Sequence, residues 1–154
     1  MKRIAIIALA AILCISSLSG CAKAAYIDSK TFTSVLKENG FYIYDVKEYW
    51  YSEAVMVKEG YAAVSPDGWI IDYLILSSED YARTVFNEST DSKNFGGTGT
   101  TTKSRSSNSA SFIRTGETFY CIVVQAANMV ICCDAPIQYK DDVDQIFLKI
   151  GVFN

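Results

Sequence analysis

The sequence of 154 residues contains no histidine. Without histidine a chain has no Ser–His or Cys–His nucleophile pair, and it lacks the side chain that most often serves as a general base. Zinc also loses its usual nitrogen ligand, and no two cysteines stand at the Cys-x-x-Cys spacing typical of zinc sites. We therefore predict a protein that is not an enzyme, with no catalytic residue, no cofactor and no metal site.

Carboxylates are present, and glycoside hydrolysis can proceed with a carboxylate pair and no histidine. Asp141, Asp142 and Asp144 have the pattern of an acidic first helical turn, which the helix dipole favours. Asp67 and Asp72 have the positions of a turn residue and a strand residue. An enzyme would therefore require a cleft that brings two carboxylates together and perturbs their acidity.

The chain also lacks a basic cluster. Its 14 Lys and Arg residues are outnumbered by 17 Asp and Glu residues, which gives a net charge of −3. Nucleic-acid-binding domains and polybasic lipid-binding segments carry the opposite balance. We therefore expect no nucleic acid partner and no membrane attachment through surface lysines.

The N-terminus has the three parts of a secretory signal. Lys2 and Arg3 are followed by the almost wholly apolar stretch 4–15 and then by small residues at 16–20. The apolar stretch, counted to Leu18, is 15 residues long. That is about 22 Å of helix, whereas a membrane span needs about 20 residues. The segment therefore predicts export rather than a transmembrane helix.

Leu18-Ser19-Gly20-Cys21 resembles the lipobox of bacterial lipoproteins, an apolar residue and two small residues before an invariant cysteine. The resemblance implies that the Cys21 thiol receives a diacylglyceryl group and that cleavage after Gly20 makes Cys21 the mature N-terminus. It also implies a location on the extracytoplasmic face of the cell membrane, where the lipid is the contact with the bilayer.

These boundaries divide the chain into a signal peptide at 1–20, a short tether at 21–27 and a single domain at 28–154. Removal of the signal leaves 134 residues, and the loss of Lys2 and Arg3 brings the net charge to −5. A chain of this length is large enough to bury one hydrophobic core.

Periodicity and turn residues predict helices separated by groups of three strands. The predicted elements are a helix at 29–39, strands at 42–46, at 55–57 with 61–64 (one bent strand if Gly60 is the bend) and at 69–76, a turn at 65–68, a helix that begins with the capping sequence 77–80, strands at 112–114, 119–124 and 129–133, and a last helix that ends at Gly151. The polar stretch 89–111 predicts a mobile loop leading into a polar edge strand.

This order, αβββαβββα, favours an α+β fold in which an antiparallel sheet is covered by three helices. The layout resembles small uncharacterised lipoproteins of Gram-positive anaerobes, and more loosely the repeated helix-and-three-strand units of PsbP/Mog1-type domains.

Three cysteines remain after Cys14 in the signal and the lipidated Cys21 are set aside. Adjacent Cys132 and Cys133 point to opposite faces of a strand, so only one of them can meet Cys121. A hairpin turn at 126–127 would put Cys121 opposite Cys132, whereas a turn at 127–128 would make them diagonal neighbours. Both registers allow a Cys121–Cys132 disulfide in an exported protein, and the alternative is three buried, reduced thiols.

Two functions are compatible with this sequence. The first is a non-enzymatic binding domain for a small solute, a cell-wall fragment or an envelope protein. The second is a structural, accessory or inhibitory subunit that docks on a membrane protein through a sheet face or the aromatic cluster Tyr49-Trp50-Tyr51. A pocket with convergent polar groups would favour the first, and a flat exposed aromatic patch would favour the second.

Overall fold

The computed structural model describes residues 23–49, 56–93 and 98–153. Three helices and seven strands lie in these residues: α1 (Ser29–Glu38), β1 (Tyr42–Asp45), β2 (Val57–Val64), β3 (Ile70–Leu76), α2 (Glu79–Lys93), β4 (Gly99–Arg105), β5 (Ser109–Gly116), β6 (Phe119–Ala126), β7 (Met129–Pro136) and α3 (Lys140–Ile150). Short 3-10 turns follow β1 and β7. In this part of the chain, no helix has both the length and the apolar character needed to cross a membrane.

All seven strands form one antiparallel sheet in the order β1-β2-β3-β7-β6-β5-β4. The pairing of β3 with β7, from Ile70 opposite Asp134 to Ile75 opposite Met129, joins the first three strands to the last four. The predicted class, an α+β fold with three helices and an antiparallel sheet, is confirmed.

The second half of the sheet has one strand more than the predicted order. The added strand is β4, which pairs with β5 and forms an edge of the sheet. The prediction of a polar edge strand within 89–111 is thus confirmed, but the loop does not begin at residue 89, because α2 extends to Lys93, and the stretch also includes the start of β5 at Ser109. Residues 94–97 lie outside the described residues. Threonine has a β-branched side chain that suits a strand, and a polar strand is stable at an edge, where one side meets water.

The helices divide unequally between the two faces of the sheet. On one face α1 and α3 pack through Phe32, Leu36, Val143 and Phe147, all fully buried. We call this the helix-pair face. On the opposite, single-helix face, α2 packs through Ala82 and Phe86.

Local signals bound several elements as predicted. Asp28 caps α1 by accepting a hydrogen bond from the Thr31 amide at 2.9 Å. Gly68 in the 65–68 turn and Gly151 after α3 have φ angles of +89° and +82°, a region that glycine enters without steric cost. The cap of α2 is one residue later than predicted, since the Tyr81 amide donates to Ser78 Oγ.

The segment before α1 is attached to the domain. Ala24 forms a β-bridge with Phe153, and the Ala25 amide donates to the Val152 carbonyl at 2.8 Å. Tyr73, fully buried on β3, donates its hydroxyl hydrogen to the Ile27 carbonyl, also at 2.8 Å. The stretch predicted as a tether is therefore part of the fold from Ala24 onward.

A buried polar contact holds α3 on the sheet. The Tyr120 hydroxyl donates to Asp144 Oδ1 at 2.5 Å, and Lys140 Nζ donates to Asp144 Oδ2 at 2.6 Å. Burial, followed by this bond to Asp144, raises the pKa of Tyr120 well above its ordinary value. The hydroxyl therefore stays protonated, and can donate this bond, above the pH at which an exposed tyrosine ionises.

Replacing Asp144 tests this contact. We expect Asp144→Ala to lower the free energy of unfolding by about 1–3 kcal/mol, because a buried hydroxyl loses its acceptor. Lys140→Ala removes only a partly exposed ion pair and should cost less than about 1 kcal/mol. Denaturant titrations of both variants, repeated with Tyr120→Phe, provide the measurement. If Asp144→Ala costs as much without the Tyr120 hydroxyl as with it, the contact is not the source of the stability.

Candidate functional site

Helix α2 covers only part of the single-helix face. It contacts β3, β6 and β7, and its apolar side packs on Leu74, Phe112, Val123 and Val130. Among the described residues, Val57 at the start of β2 belongs to this apolar cluster, whereas no side chain of β1 or of the rest of β2 does. On this side of the sheet Tyr42, Tyr44 and Ile70 are exposed to solvent.

The open area is lined by tyrosine and aliphatic side chains. Along β1, Ile43 points toward the helix-pair face, so Tyr42 and Tyr44 point the other way, with 64% and 55% of their surface exposed. Across the sheet, one row continues from Tyr42 to Val64 and Ile70, and the next from Tyr44 to Ala62 and Asp72. We call the five apolar and aromatic members the open tyrosine face: Tyr42, Tyr44, Ala62, Val64 and Ile70.

The chain that leaves β1 crosses this side of the sheet at Gly60. The Val46 amide donates to the Gly60 carbonyl at 2.9 Å, and a Cβ on Gly60 would lie 3.3 Å from the Lys47 backbone nitrogen. The absence of a side chain therefore permits the close approach. The crossing leads into a 3-10 turn that ends at Tyr49, which is 84% exposed.

An acidic groove adjoins the open tyrosine face. It has a volume of about 360 Å³ and is lined by residues of the β2–β3 turn and of strands β3 and β7: Asp67, Gly68, Trp69, Ile70, Asp72, Asp134 and Pro136. Asp134 lies opposite Ile70, and Asp72 lies opposite Cys132, so the two carboxylates are diagonal neighbours on adjacent strands.

The groove brings together the carboxylates that an enzyme would need, but all its lining residues belong to one sheet surface and its turn. A catalytic cleft requires a facing wall to exclude water and orient the substrate. Among the described residues, no group of three His, Cys, Asp or Glu side chains could hold a metal ion. The arrangement is suited to surface recognition.

A second groove, of about 470 Å³, lies between α1 and strands β1 and β2 on the helix-pair face. Lys30 and Lys37 line it from the helix, and Tyr61 lines it from the sheet. Burial raises the pKa of Tyr61, and the charges of Glu59 and Asp45 raise it further. Asp45 also lines the groove, so its lining carries two positive charges and one negative charge.

The cysteine register is the second of the two alternatives. Ala126 pairs with Met129, so the turn is at 127–128, and Cys121 lies opposite Asp134. Cys121 and Cys132 share the single-helix face, whereas Cys133 is buried on the other face, and all three are present as thiols. Diagonal neighbours are about 7–8 Å apart, and a disulfide needs Cα atoms within about 6.8 Å. A Cys121–Cys132 bridge would therefore require the strands to shift.

Some residues that the sequence analysis named as functional candidates lie outside the part of the chain that the structure describes. Cys21 and the rest of the lipobox lie outside the described residues, as do Trp50 and Tyr51. Sequence reasoning missed the open tyrosine face. The sequence pattern that could have predicted this face lies in β1, an edge strand in which the two positions that point away from the helix pair, Tyr42 and Tyr44, are both tyrosine.

Counting thiols tests the redox state of the hairpin. We expect three alkylated cysteines (Cys121, Cys132 and Cys133) when the mature, lipidated protein is unfolded in the presence of a thiol reagent, because the diagonal register disfavours a bridge. Intact-mass measurement with and without prior reduction gives the number directly. A mass that gains two further labels only after reduction would instead establish the disulfide.

Comparison with known proteins does not assign the chain to a family. No family model matches it, and neither a curated protein nor a solved structure matches it at the significance required.

Proposed function

We propose that this chain is a non-enzymatic, lipid-anchored protein of the extracytoplasmic membrane face, and that it docks on another envelope protein through the open tyrosine face. The observation that carries the docking proposal is the half-covered sheet, on which Tyr42 and Tyr44 are exposed beside aliphatic neighbours. The anchor is proposed from Leu18-Ser19-Gly20-Cys21 and from the export signal before it.

Tyrosine suits a docking surface because it combines a large apolar area with a polar tip and only two side-chain torsions. Aromatic residues are enriched in protein interfaces, and tyrosine is frequent among the residues that contribute most to affinity. A contiguous apolar patch on a soluble surface commonly marks an interaction site. Tyr49, exposed on the turn that crosses the same side of the sheet, extends the aromatic surface.

The net charge of the chain selects the charge of the partner. Without the predicted signal peptide the chain has a net charge of −5, and Asp67 is exposed in the turn that borders the patch. A partner with an apolar patch bordered by lysine or arginine would meet complementary charge, which raises association rates and disfavours acidic competitors. The proposed partner is therefore an envelope protein with a basic docking surface.

A small anionic ligand is a second candidate, favoured by the groove that Lys30 and Lys37 line. If this second proposal holds, the affinity for the anion should fall when both lysines are replaced, and it should not change when Tyr42 and Tyr44 are replaced. The two candidates are thus separated by variants on opposite faces of one sheet.

Cys21→Ser tests the anchor. We expect the variant to lose diacylglyceryl attachment and to move from the membrane fraction to the soluble fraction, since the thiol is the acceptor of the lipid. Cys14→Ser is the matched control, because Cys14 lies within the segment predicted to be removed. Fractionation with metabolic palmitate labelling is the measurement. Continued membrane retention of Cys21→Ser would refute the lipobox assignment.

The docking surface is tested with a photoreactive phenylalanine at Tyr44, and at Tyr81 as a control. Tyr81 is an exposed tyrosine on α2, outside the open tyrosine face. We expect a cross-linked partner from position 44 in intact cells and none from position 81. With the purified partner, Tyr42→Ser/Tyr44→Ser should weaken binding by about 30-fold, which corresponds to about 2 kcal/mol at an interface hot spot.

Three further readouts complete this test. Tyr81→Ser should bind like the unsubstituted protein, and Asp67→Lys should weaken binding to a basic partner. The Kd of the unsubstituted protein should rise with ionic strength. Equal cross-linking from both positions, or a Kd unaffected by the tyrosine substitutions, would exclude this face as the docking surface.

A further inference from the structure

The segment that leads from the proposed lipid to the domain is held in place almost from its start. Besides the Ala24–Phe153 bridge, the Ala25 amide donates to the Val152 carbonyl, and the Ile27 amide donates to Met129 Sδ at 3.3 Å. Tyr73 closes the set by donating to the Ile27 carbonyl. Ala24 is buried. These contacts come from the two residues Val152 and Phe153 that follow α3, from β3 and from β7, so the segment is tied to the centre of the sheet and to the chain just beyond a helix.

The chain between the lipid and this attachment is very short. From Cys21 to Ala24 there are three residue steps, which span at most about 11 Å when fully extended. This step rests on the proposed lipidation of Cys21. If Cys21 lies at the surface of the bilayer, then the surface around Ala24 lies within about 11 Å of the lipid headgroups.

That surface carries exposed side chains of the kind found at membrane interfaces. Tyr26 is 49% exposed and Leu148 is 54% exposed. Leu148 lies close to the segment, because its carbonyl accepts from the Gly151 amide and the next residue, Val152, accepts from Ala25. Lys23 and Lys149 are exposed nearby along the chain. Tyrosine is enriched at the level of lipid headgroups, and lysines close to an anionic surface are attracted to it.

We infer that the end of α3 and the docked N-terminal segment form a membrane-contacting corner, with Tyr26 and Leu148 at the headgroup level of the leaflet that holds the lipid. The occupant of this surface is the anchoring bilayer itself. The anchor therefore does more than retain the protein at the membrane. Because the connection is short, it keeps the membrane-contacting corner next to the bilayer and restricts the domain to one orientation.

The test uses the full lipidated protein in vesicles of phosphatidylcholine and phosphatidylglycerol. Three variants, Tyr26→Cys, Leu148→Cys and Thr101→Cys, each carry one added cysteine that is labelled with an environment-sensitive fluorophore. The measurement is the quenching of that fluorophore by headgroup-labelled lipid. Thr101 is exposed on β4, three strands from β7 and therefore about 14 Å across the sheet from it. Unsubstituted protein treated in parallel corrects for labelling of Cys121, Cys132 and Cys133.

We expect quenching several-fold stronger at positions 26 and 148 than at 101. A matched variant carries a flexible Gly/Ser linker of about ten residues between Ala22 and Lys23, which has an average reach of about 17 Å. In that variant, quenching at 26 and 148 should fall toward the value at 101 while the lipid remains attached.

The outcomes separate this inference from the proposed function. Equal quenching at all three positions of a membrane-bound protein would overturn the membrane-contacting corner and leave the anchor intact. Membrane retention of Cys21→Ser would overturn both, because the corner depends on a lipid at Cys21. Unchanged quenching after linker insertion would show that the short connection does not hold the orientation, and would also overturn the inference.

Discussion

The pairing of β3 with β7 is the constraint on which the rest of the molecule depends. Six consecutive residue pairs from Ile70 to Ile75 join two groups of strands that are separated along the chain by a helix. Ile71 and Tyr73 of β3 are buried under the helix pair, and Leu74, in the second half of the strand, is buried under α2. Both layers of core therefore meet on this pair, and Asp72 and Asp134 reach the same groove only because of its register.

The unequal helix layers explain why the sheet has one open area. Two helices cover the helix-pair face, whereas α2 alone must cover the other, and its contacts are with β3, β6 and β7. The face of β1 and β2 is left to solvent, with tyrosines where a buried strand would have aliphatic residues. These exposed tyrosines beside aliphatic residues are the observation on which the proposed docking surface rests.

Local chemistry predicted much of this fold. The cap at Asp28, the turn that contains Gly68 and the helix end at Gly151 each rest on a few neighbouring residues, and all three are present. The bounds of the edge strand β4 could not be predicted, because serine and threonine are frequent in both loops and edge strands, and only pairing with β5 decides where the strand begins and ends. The alternative hairpin registers of Cys121 differ by one turn position, which neighbouring residues alone do not resolve.

The open tyrosine face and the docked segment could not be predicted in the same way, because each depends on contacts distant in sequence. The position of α2 on the sheet decides whether Tyr42 and Tyr44 are covered. Ala24 and Ala25 have no pattern of their own, and their partners, Phe153 and Val152, lie at the other end of the domain.

The bridge between Ala24 and Phe153 also imposes an order on folding. If the chain is exported as proposed, Ala24 crosses the membrane early, whereas its partner Phe153 crosses only after all seven strands. In that case the bridge cannot close before the whole domain has crossed, and the proposed lipidation and cleavage at Cys21 would precede the last step of folding.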